Sequence, residues 1–406
     1  MLLGTTVDGP VRGRRVAVTG VGVVACCGIG ADAFWEGLLA PAPEGERRVR
    51  DFDPAAWFGP KEARRVDRYA QFSVAAAEMA KADAASASDL APDPDRAGVI
   101  FATGVGGLES LEEQIQVYLE KGARRISPFL IPMMMPNAGA ATISMRSGWH
   151  GPCETITTAC AAGTHAVAAA ARLVASGRCD VAIGGGSEAA MTPVGIGAFT
   201  NMTALSTTGV SRPFDARRDG FICAEGAGAL VLEDLEHARR RGARIYAEVL
   251  GAASTADAHH ITAPAPGGSG AAACMELALA DAELTPAAIG HINAHGTSTP
   301  LNDLAEAQAI AKVFGDLPGG PPPVTSIKGV TGHALGGAGA IEAVAAVLSI
   351  ERALVPPTAG YGEPDPEIPL DVVHGAARAW SPAPVLSNSF GFGGHNGCLV
   401  IAPVAD

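Results

Sequence analysis

The chain has 406 residues, of which 48% are hydrophobic and 17% charged, with a formal charge of −13. It is long enough for two or three domains, or for one large duplicated α/β unit with an extensive core. The charge excludes nucleic acid as the main partner, since neutralising phosphate needs clustered Lys and Arg, and 5% aromatic residues are too few for base-stacking platforms. No apolar run approaches the roughly 18 residues that span a bilayer. In MLLGTTVDGPVRGRR the basic residues follow a weak apolar stretch, the reverse of a signal peptide. A cytoplasmic enzyme with no membrane partner is expected.

In chain order, residues 1–12 read as a disordered leader, followed by a strand at 16–19 and a helix at 33–39. A polar, Pro-rich stretch comes next, then a helix at 68–82, a strand at 98–103 and a helix at 108–121. ETITTACAAGTHAVAAAARLV passes from an extended, Thr-rich segment into an Ala-rich helix, and CDVAIGGGSEAA adds a buried strand and a glycine turn. GAGALVLEDLEHARRRGARIYAEVLGAAS reads strand, helix, strand. The second half repeats this grammar, with a helix at 270–282, a strand ending in HINAHGT and a helix at 303–314. PVTSIKGVTGHALGGAGAIEAVAAVLS parallels the segment around residue 160: strand, small-residue turn with a reactive side chain, Ala-rich helix. The expectation is an internal duplication, with halves at 13–250 and 251–406 whose two turns face each other.

Cys160 lies where that first Ala-rich helix begins. Unsatisfied N–H groups and the helix dipole favour a thiolate there, and such sites can draw a cysteine pKa from about 8.5 toward neutrality. The Cys160 N–H can also serve as half of an oxyanion hole, a donor typically worth about 2.7–4 kcal/mol of barrier. The other seven of the eight cysteines read as reduced, buried small hydrophobes, with no Cys-x-x-Cys pair among them. His295, in NAHGTST, and His333, in KGVTGHALGG, each sit in a small-residue turn. The positive end of a helix dipole opposes protonation, so neutral imidazoles that can donate to an oxyanion are expected. Lys328 and Glu342 are placed to pair, since a buried lysine needs a carboxylate. SNSFGFGGHNG carries glycines that let a backbone N–H approach a ligand, or that hinge. TGVGVVA looks like a dinucleotide fingerprint, but no helix begins on it and no ribose-binding acid follows. The adjacent pairs Cys26–Cys27 and His259–His260 are poorly disposed for joint metal ligation and read as structural or loop residues.

TACAAGTH, NAHGTST, K-x-x-T-G-H and NSFGFGG, in this order and over nearly the whole chain, resemble the β-ketoacyl-[acyl carrier protein] synthases of the type II elongating class. The resemblance implies a thiolase-like αβαβα fold of two similar halves, acting as a dimer. It implies that Cys160 accepts an acyl chain from carrier-protein phosphopantetheine. His295 and His333 would bind the malonyl carbonyl and support loss of carbon dioxide, while Lys328 and Glu342 organise the site. It further implies an oxyanion hole from the N–H groups of Cys160 and Phe390, and pantetheine contacts from Thr297 and Thr299. A gate would be formed by Gly391, Phe392, Gly393 and Gly394 with the segment around Asp257. Val105 would line the acyl pocket, its small side chain lengthening or widening the tunnel. Arg64, Arg65, Arg68, Arg124 and Arg125 would meet the acidic carrier protein. No metal or organic cofactor is required by this scheme. Thr203, where many relatives have a basic residue, and His395, where the family pattern has Thr, depart from it.

The leading expectation is decarboxylative Claisen condensation in fatty acid or polyketide assembly, by a homodimer or by a catalytic subunit paired with a chain-length partner. A non-catalytic chain-length subunit is a second reading, opposed by the presence of Cys160. A thiolase or priming synthase is a third, but those use Cys-His-Cys or Cys-His-Asn sets.

Overall fold

Alternating small and β-branched residues make strands that helices can approach closely, and one of the two longest, Val16–Ala25, is buried throughout. The computed structural model describes residues 13–43 and 45–405; the expected leader at 1–12 lies outside them. The strand runs past residue 19, where the sequence suggested an end, because Gly20 and Gly22 are packing positions. A Cβ at either would lie 2.1 or 2.0 Å from a carbonyl oxygen of the helix Arg68–Ala84. The glycines of the apparent dinucleotide fingerprint therefore serve strand–helix contact. The helix expected at 303–314 begins at Pro300, whose fixed φ suits a first helical turn.

An 11-stranded sheet runs in the order Cys153–Glu154, Ala97–Ala102, Val181–Glu188, Gly226–Asp234, Val16–Ala25, Ala247–Ala256, His395–Ala402, Val385–Gly391, His291–Asn293, Val324–Thr325. The strand Gly28–Ile29 is hairpinned onto Val16–Ala25. From either end inward the pairing is the same: parallel, parallel, antiparallel, antiparallel. The two runs meet where residues 16–18 pair antiparallel with 247–249. The boundary expected at 250/251 falls inside the strand Ala247–Ala256 that opens the second run.

The layers follow from which helices are apolar all round. Ala338–Arg352 is buried at every position from 338 to 350, and Ala162–Ala175 at most of its positions. Each packs on the other and on strands of both runs. Arg68–Ala84 covers the outer face of the first run, and Ser269–Asp281 that of the second. The result is an αβαβα sandwich whose middle layer carries the starts of the two equivalent helices. Among the described residues, no helix is long and apolar enough to cross a membrane.

Close approach across the middle layer is strict at Gly228, where an added Cβ would lie 2.4 Å from the backbone of Ala340. Gly228→Ala is expected to destabilise the fold by about 1–3 kcal/mol through this overlap, read as a lower urea midpoint at unchanged slope.

Candidate active site

Three loops converge on one cavity of about 370 Å³, lined by Cys160, His295, His333, Thr297, Thr299 and Phe392 among others. Cys160 sits in the tight turn Ala159–Ala161, which runs straight into the helix Ala162–Ala175. Ala159 takes φ 49°, so the backbone is held in a left-handed conformation immediately before the thiol. The sulfur and one ring nitrogen from each histidine lie within 4.8 Å of one another. The two imidazoles meet edge to face at 5.3 Å, and Phe221 and Phe390 flank them at 5.3 and 6.0 Å.

The backbone N–H directed at the Cys160 sulfur is that of Phe392. This corrects the expectation for Phe390, which lies within the β-ladder opposite Asn396, its ring packed on His295. The ladder ends at Gly391 paired with His395, and Phe392 is the first residue beyond it, in the turn that passes the thiol. The electrostatic expectation for Cys160 is corrected as well. The side chain is 6% exposed, and burial pushes the thiol up to about 11 despite the Phe392 N–H and the Lys328 charge. Desolvation thus outweighs the helix terminus.

Both histidines are held well below the usual imidazole range, by burial first and by Lys328 second. The expected neutrality is therefore present, with desolvation rather than a helix dipole as its main cause. Lys328 is itself buried; its Nζ donates to the His295 carbonyl at 2.7 Å, lies 3.4 Å from His295 Nδ1 and pairs with Glu342. An ammonium can only donate, so His295 Nδ1 accepts and the ring proton sits on Nε2. His333 is fixed through its backbone, its N–H donating to Ile222 O at 2.8 Å, while its Nδ1 has no hydrogen-bond partner among the described residues. Burial lifts Glu342 to about 7 against the pull of Lys328. The Cys-His-His set has the donors of a metal site, but the adjacent Lys328 charge opposes a cation there.

Two buried carboxylates that sequence reasoning passed over hold the loops. Glu306 accepts from the N–H groups of His295 and Gly296, both at 2.8 Å, and from Asn388 Nδ2 at 3.2 Å. Glu188 accepts from Gly104 N–H at 2.7 Å, Thr103 Oγ1 at 3.0 Å and Gly336 N–H at 3.2 Å, joining the strand-end loop to the turn after His333. The available signal was an acid in the Ala-rich LAEAQAIA helix and another closing the apolar strand VAIGGGSE.

The other expected residues divide. Thr297 and Thr299 line the cavity and share a hydrogen bond at 2.9 Å. Gly393 and Gly394 take φ of 83° and 73°, and the loop is tied to the segment 257–265 by Gly393 N–H to Ile261 O at 2.7 Å and Asp257 N–H to Gly394 O at 2.8 Å. His395 packs over Gly393, and Thr203 stands in the cavity wall with φ 52°. Val105 does not line the cavity: it is 45% exposed on the surface of this chain. Arg68 is bound bidentately to the buried Glu225 and is not free for a partner. Arg64, Arg65, Arg124 and Arg125 are exposed, with Arg65 stacked on Phe129. Not all remaining cysteines are buried: Cys153 is exposed, and Cys26 and Cys27 are half-buried.

A strand-loop-helix thiol facing two neutral imidazoles, in a duplicated five-layer sandwich, defines a carbon–carbon condensing enzyme of the thiolase-like class. The chain belongs to the β-ketoacyl synthase family: residues 41–238 match the model of the beta-ketoacyl synthase N-terminal domain and 246–362 that of the C-terminal domain. It is 44% identical over 403 residues to the 3-oxoacyl-[acyl-carrier-protein] synthase 2 of Synechocystis, covering 94% of this chain and 96% of that protein. Among solved structures it is similar to the ishigamide ketosynthase/chain length factor, with TM-score 0.90, 35% identity, and 97% and 100% of the two chains covered. It is also similar to a type II polyketide synthase ketosynthase solved with its acyl-carrier protein and bound to the hexaketide, with TM-score 0.88, 34% identity and the same coverage.

Burial sets Glu306 at about 7 instead of 4.5. The folded state thus holds this proton more tightly than the unfolded chain, and between about pH 5 and 8 the group makes the fold less stable as pH rises. Glu306→Gln removes that titration. The stability difference, variant minus parent, is expected to shift toward the variant by about 2 kcal/mol between those pH values, measured by denaturant titration at each pH.

Proposed function

We propose that the protein is an elongating β-ketoacyl-[acyl carrier protein] synthase. In this reading Cys160 takes an acyl group from the phosphopantetheine thioester of a carrier protein. The new thioester bond forms as the old one breaks, and the thiol proton leaves with the departing pantetheine sulfur, as a thiol that holds its proton to about pH 11 requires. The N–H groups of Cys160 and Phe392 receive the oxyanion. Malonyl thioester then enters beside His295 and His333, whose neutral rings donate to its carbonyl as carbon dioxide departs. The resulting enolate carbon attacks the acyl-cysteine carbonyl, forming the carbon–carbon bond as the C–S bond breaks, and the released Cys160 thiolate takes a proton from solvent to restore the thiol. Lys328, paired with Glu342, keeps the His295 proton on Nε2. Thr297 and Thr299 take the pantetheine arm, and Gly391, Phe392, Gly393 and Gly394, latched by Asp257, open and close the pocket. The scheme uses no metal and no organic cofactor beyond the carrier's own arm.

The observation that carries this reading is the convergence of the buried Cys160 sulfur with one nitrogen of each neutral imidazole in one cavity. For the carrier, the candidates left are Arg64, Arg65, Arg124 and Arg125, exposed on a chain of formal charge −13. The surface near Val105 favours a ketosynthase-like partner, identical or chain-length-determining. Ile115, Leu119, Ile131 and Met145 are exposed on the segment 108–147 that follows it in the chain, apolar side chains of the kind that a partner surface covers. Val105 would reach an acyl chain only where such a partner closes over it.

Cys160→Ala is expected to abolish acyl transfer without loss of fold, and retained transfer would exclude the nucleophile. His295→Ala or His333→Ala should depress condensation by about 10²-fold or more while Cys160 still acylates, both steps being followed by intact-protein mass spectrometry. Arg124→Glu/Arg125→Glu should raise KM for carrier-bound substrates and leave kcat within about twofold, with a weaker salt dependence than the parent.

A further inference from the structure

We propose that Cys26 and Cys27 form an oxidant-responsive modification site, closing to a vicinal disulfide and loosening the segment that carries His333. The pair occupies a two-residue hairpin turn: Val24 faces Ile29 and Ala25 faces Gly28, leaving the two cysteines between them, half-exposed. Cys26 Sγ donates to the carbonyl oxygens of Val330 at 3.7 Å and Thr331 at 3.6 Å. These belong to the short helix Lys328–Thr331, which holds Lys328 and ends one residue before Gly332 and His333.

A second, independent feature points at the same place. Arg47 is 2% exposed, its Nε has no partner, and its guanidinium makes no ion pair with a carboxylate among the described residues. Its positive charge favours the anionic form of both thiols. The stem of the same side chain backs the His333 turn, since a Cβ at Gly332 would lie 2.6 Å from Arg47 Cγ. The Arg47 backbone bridges Ala224, whose N–H donates to His333 O at 3.0 Å. The thiols, the buried cation and the His333 turn are thus one packed unit behind the cavity.

The Cys27 S–H and Arg47 make the Cys26 proton the easier one to remove, while Cys27 holds its proton. With a hydroperoxide as oxidant, the Cys26 thiolate attacks one peroxide oxygen. An S–O bond forms, the O–O bond breaks, and the second oxygen leaves as hydroxide or alkoxide. Cys27 then displaces the oxygen on Cys26 as water, carrying away the Cys27 proton and forming S–S. Adjacent Cα atoms stand about 3.8 Å apart across a trans peptide, below the usual disulfide span of about 4.4–6.8 Å, so the bond is strained and readily reduced again. In the oxidised form Cys26 has no S–H to offer Val330 and Thr331.

Trypsin releases both thiols on one peptide, residues 16–47, which contains no other cysteine. The full-length protein, its Cys160 acylated for protection, is treated with limiting hydrogen peroxide. The expected result is loss of two hydrogen atoms from that peptide, about tenfold faster than oxidation of the exposed Cys153, with full reversal by dithiothreitol. Condensation from the acyl-enzyme is expected to fall severalfold and recover with the reductant, and Cys26→Ser/Cys27→Ser should keep its rate under peroxide. Cys27→Ser alone should stop at a sulfenic acid that dimedone captures on residue 26. Intact thiols on this peptide while Cys153 oxidises would overturn the site. A disulfide that leaves condensation unchanged would overturn its coupling to His333. The coupling rests on the condensing role proposed above; failure of the untreated enzyme to acylate Cys160 would sink that role and leave the peptide result standing.

Discussion

The ammonium of Lys328, taken out of water between His295 and Glu342, is the placement on which the rest of the site depends. An isolated buried charge is too expensive to keep, so a carboxylate must accompany it. Glu342 supplies that carboxylate from the first turns of a helix buried on every side. The ammonium in turn occupies one nitrogen of His295 and leaves the other to face the cavity with its proton. It lowers the proton affinity of both imidazoles and opposes the rise that burial imposes on the Cys160 thiol. One fixed charge therefore sets the His295 tautomer and biases all three reacting groups, with burial as the larger influence on each.

Duplication makes that convergence possible. Each half delivers a small-residue turn into a central helix, and the two helices lie against each other in the middle layer. The Cys160 turn and the Lys328–His333 turn are equivalent positions brought face to face by the antiparallel junction of residues 16–18 with 247–249. The glycines and alanines of these helices are the condition for the approach: at Gly163 a Cβ would lie 2.6 Å from the backbone N of Ala340. Larger side chains would separate the helix starts and, with them, the sulfur and the imidazoles.

Much of this is legible along the chain because it is local. Strand-to-turn-to-helix transitions mark Cys160 and His333, and the helix expected at 108–121 lies at Leu108–Lys121. What sequence leaves open is non-local or depends on a single residue of register. In NSFGFGG the two phenylalanines are two apart, and only the course of the chain beyond the last ladder pair, Gly391 with His395, shows which N–H meets the sulfur. Arg68 looks available until Glu225, 157 residues away, accepts from its Nε and one terminal nitrogen. The Cys160 thiol illustrates the same limit. A helix start can be read from sequence, whereas the desolvation that outweighs it comes from residues scattered over the whole chain.

A resting thiol that keeps its proton is also the sounder arrangement for a pocket of this kind. A standing thiolate beside two imidazoles would attract metal ions and oxidants, whereas a protonated, buried sulfur offers them little. In the proposed reaction, reactivity arrives with the substrate: its carbonyl oxygen would engage the N–H groups at Cys160 and Phe392, its departing sulfur would take up the proton, and the charge would appear only while donors surround it. The gate contributes to the same end. The backbone bonds of Gly393 and Gly394 to the segment 257–265 tie down the loop that holds Phe392. In the proposed mechanism, a gate made of residues 391–394 would carry one of the oxyanion donors with it when it opens.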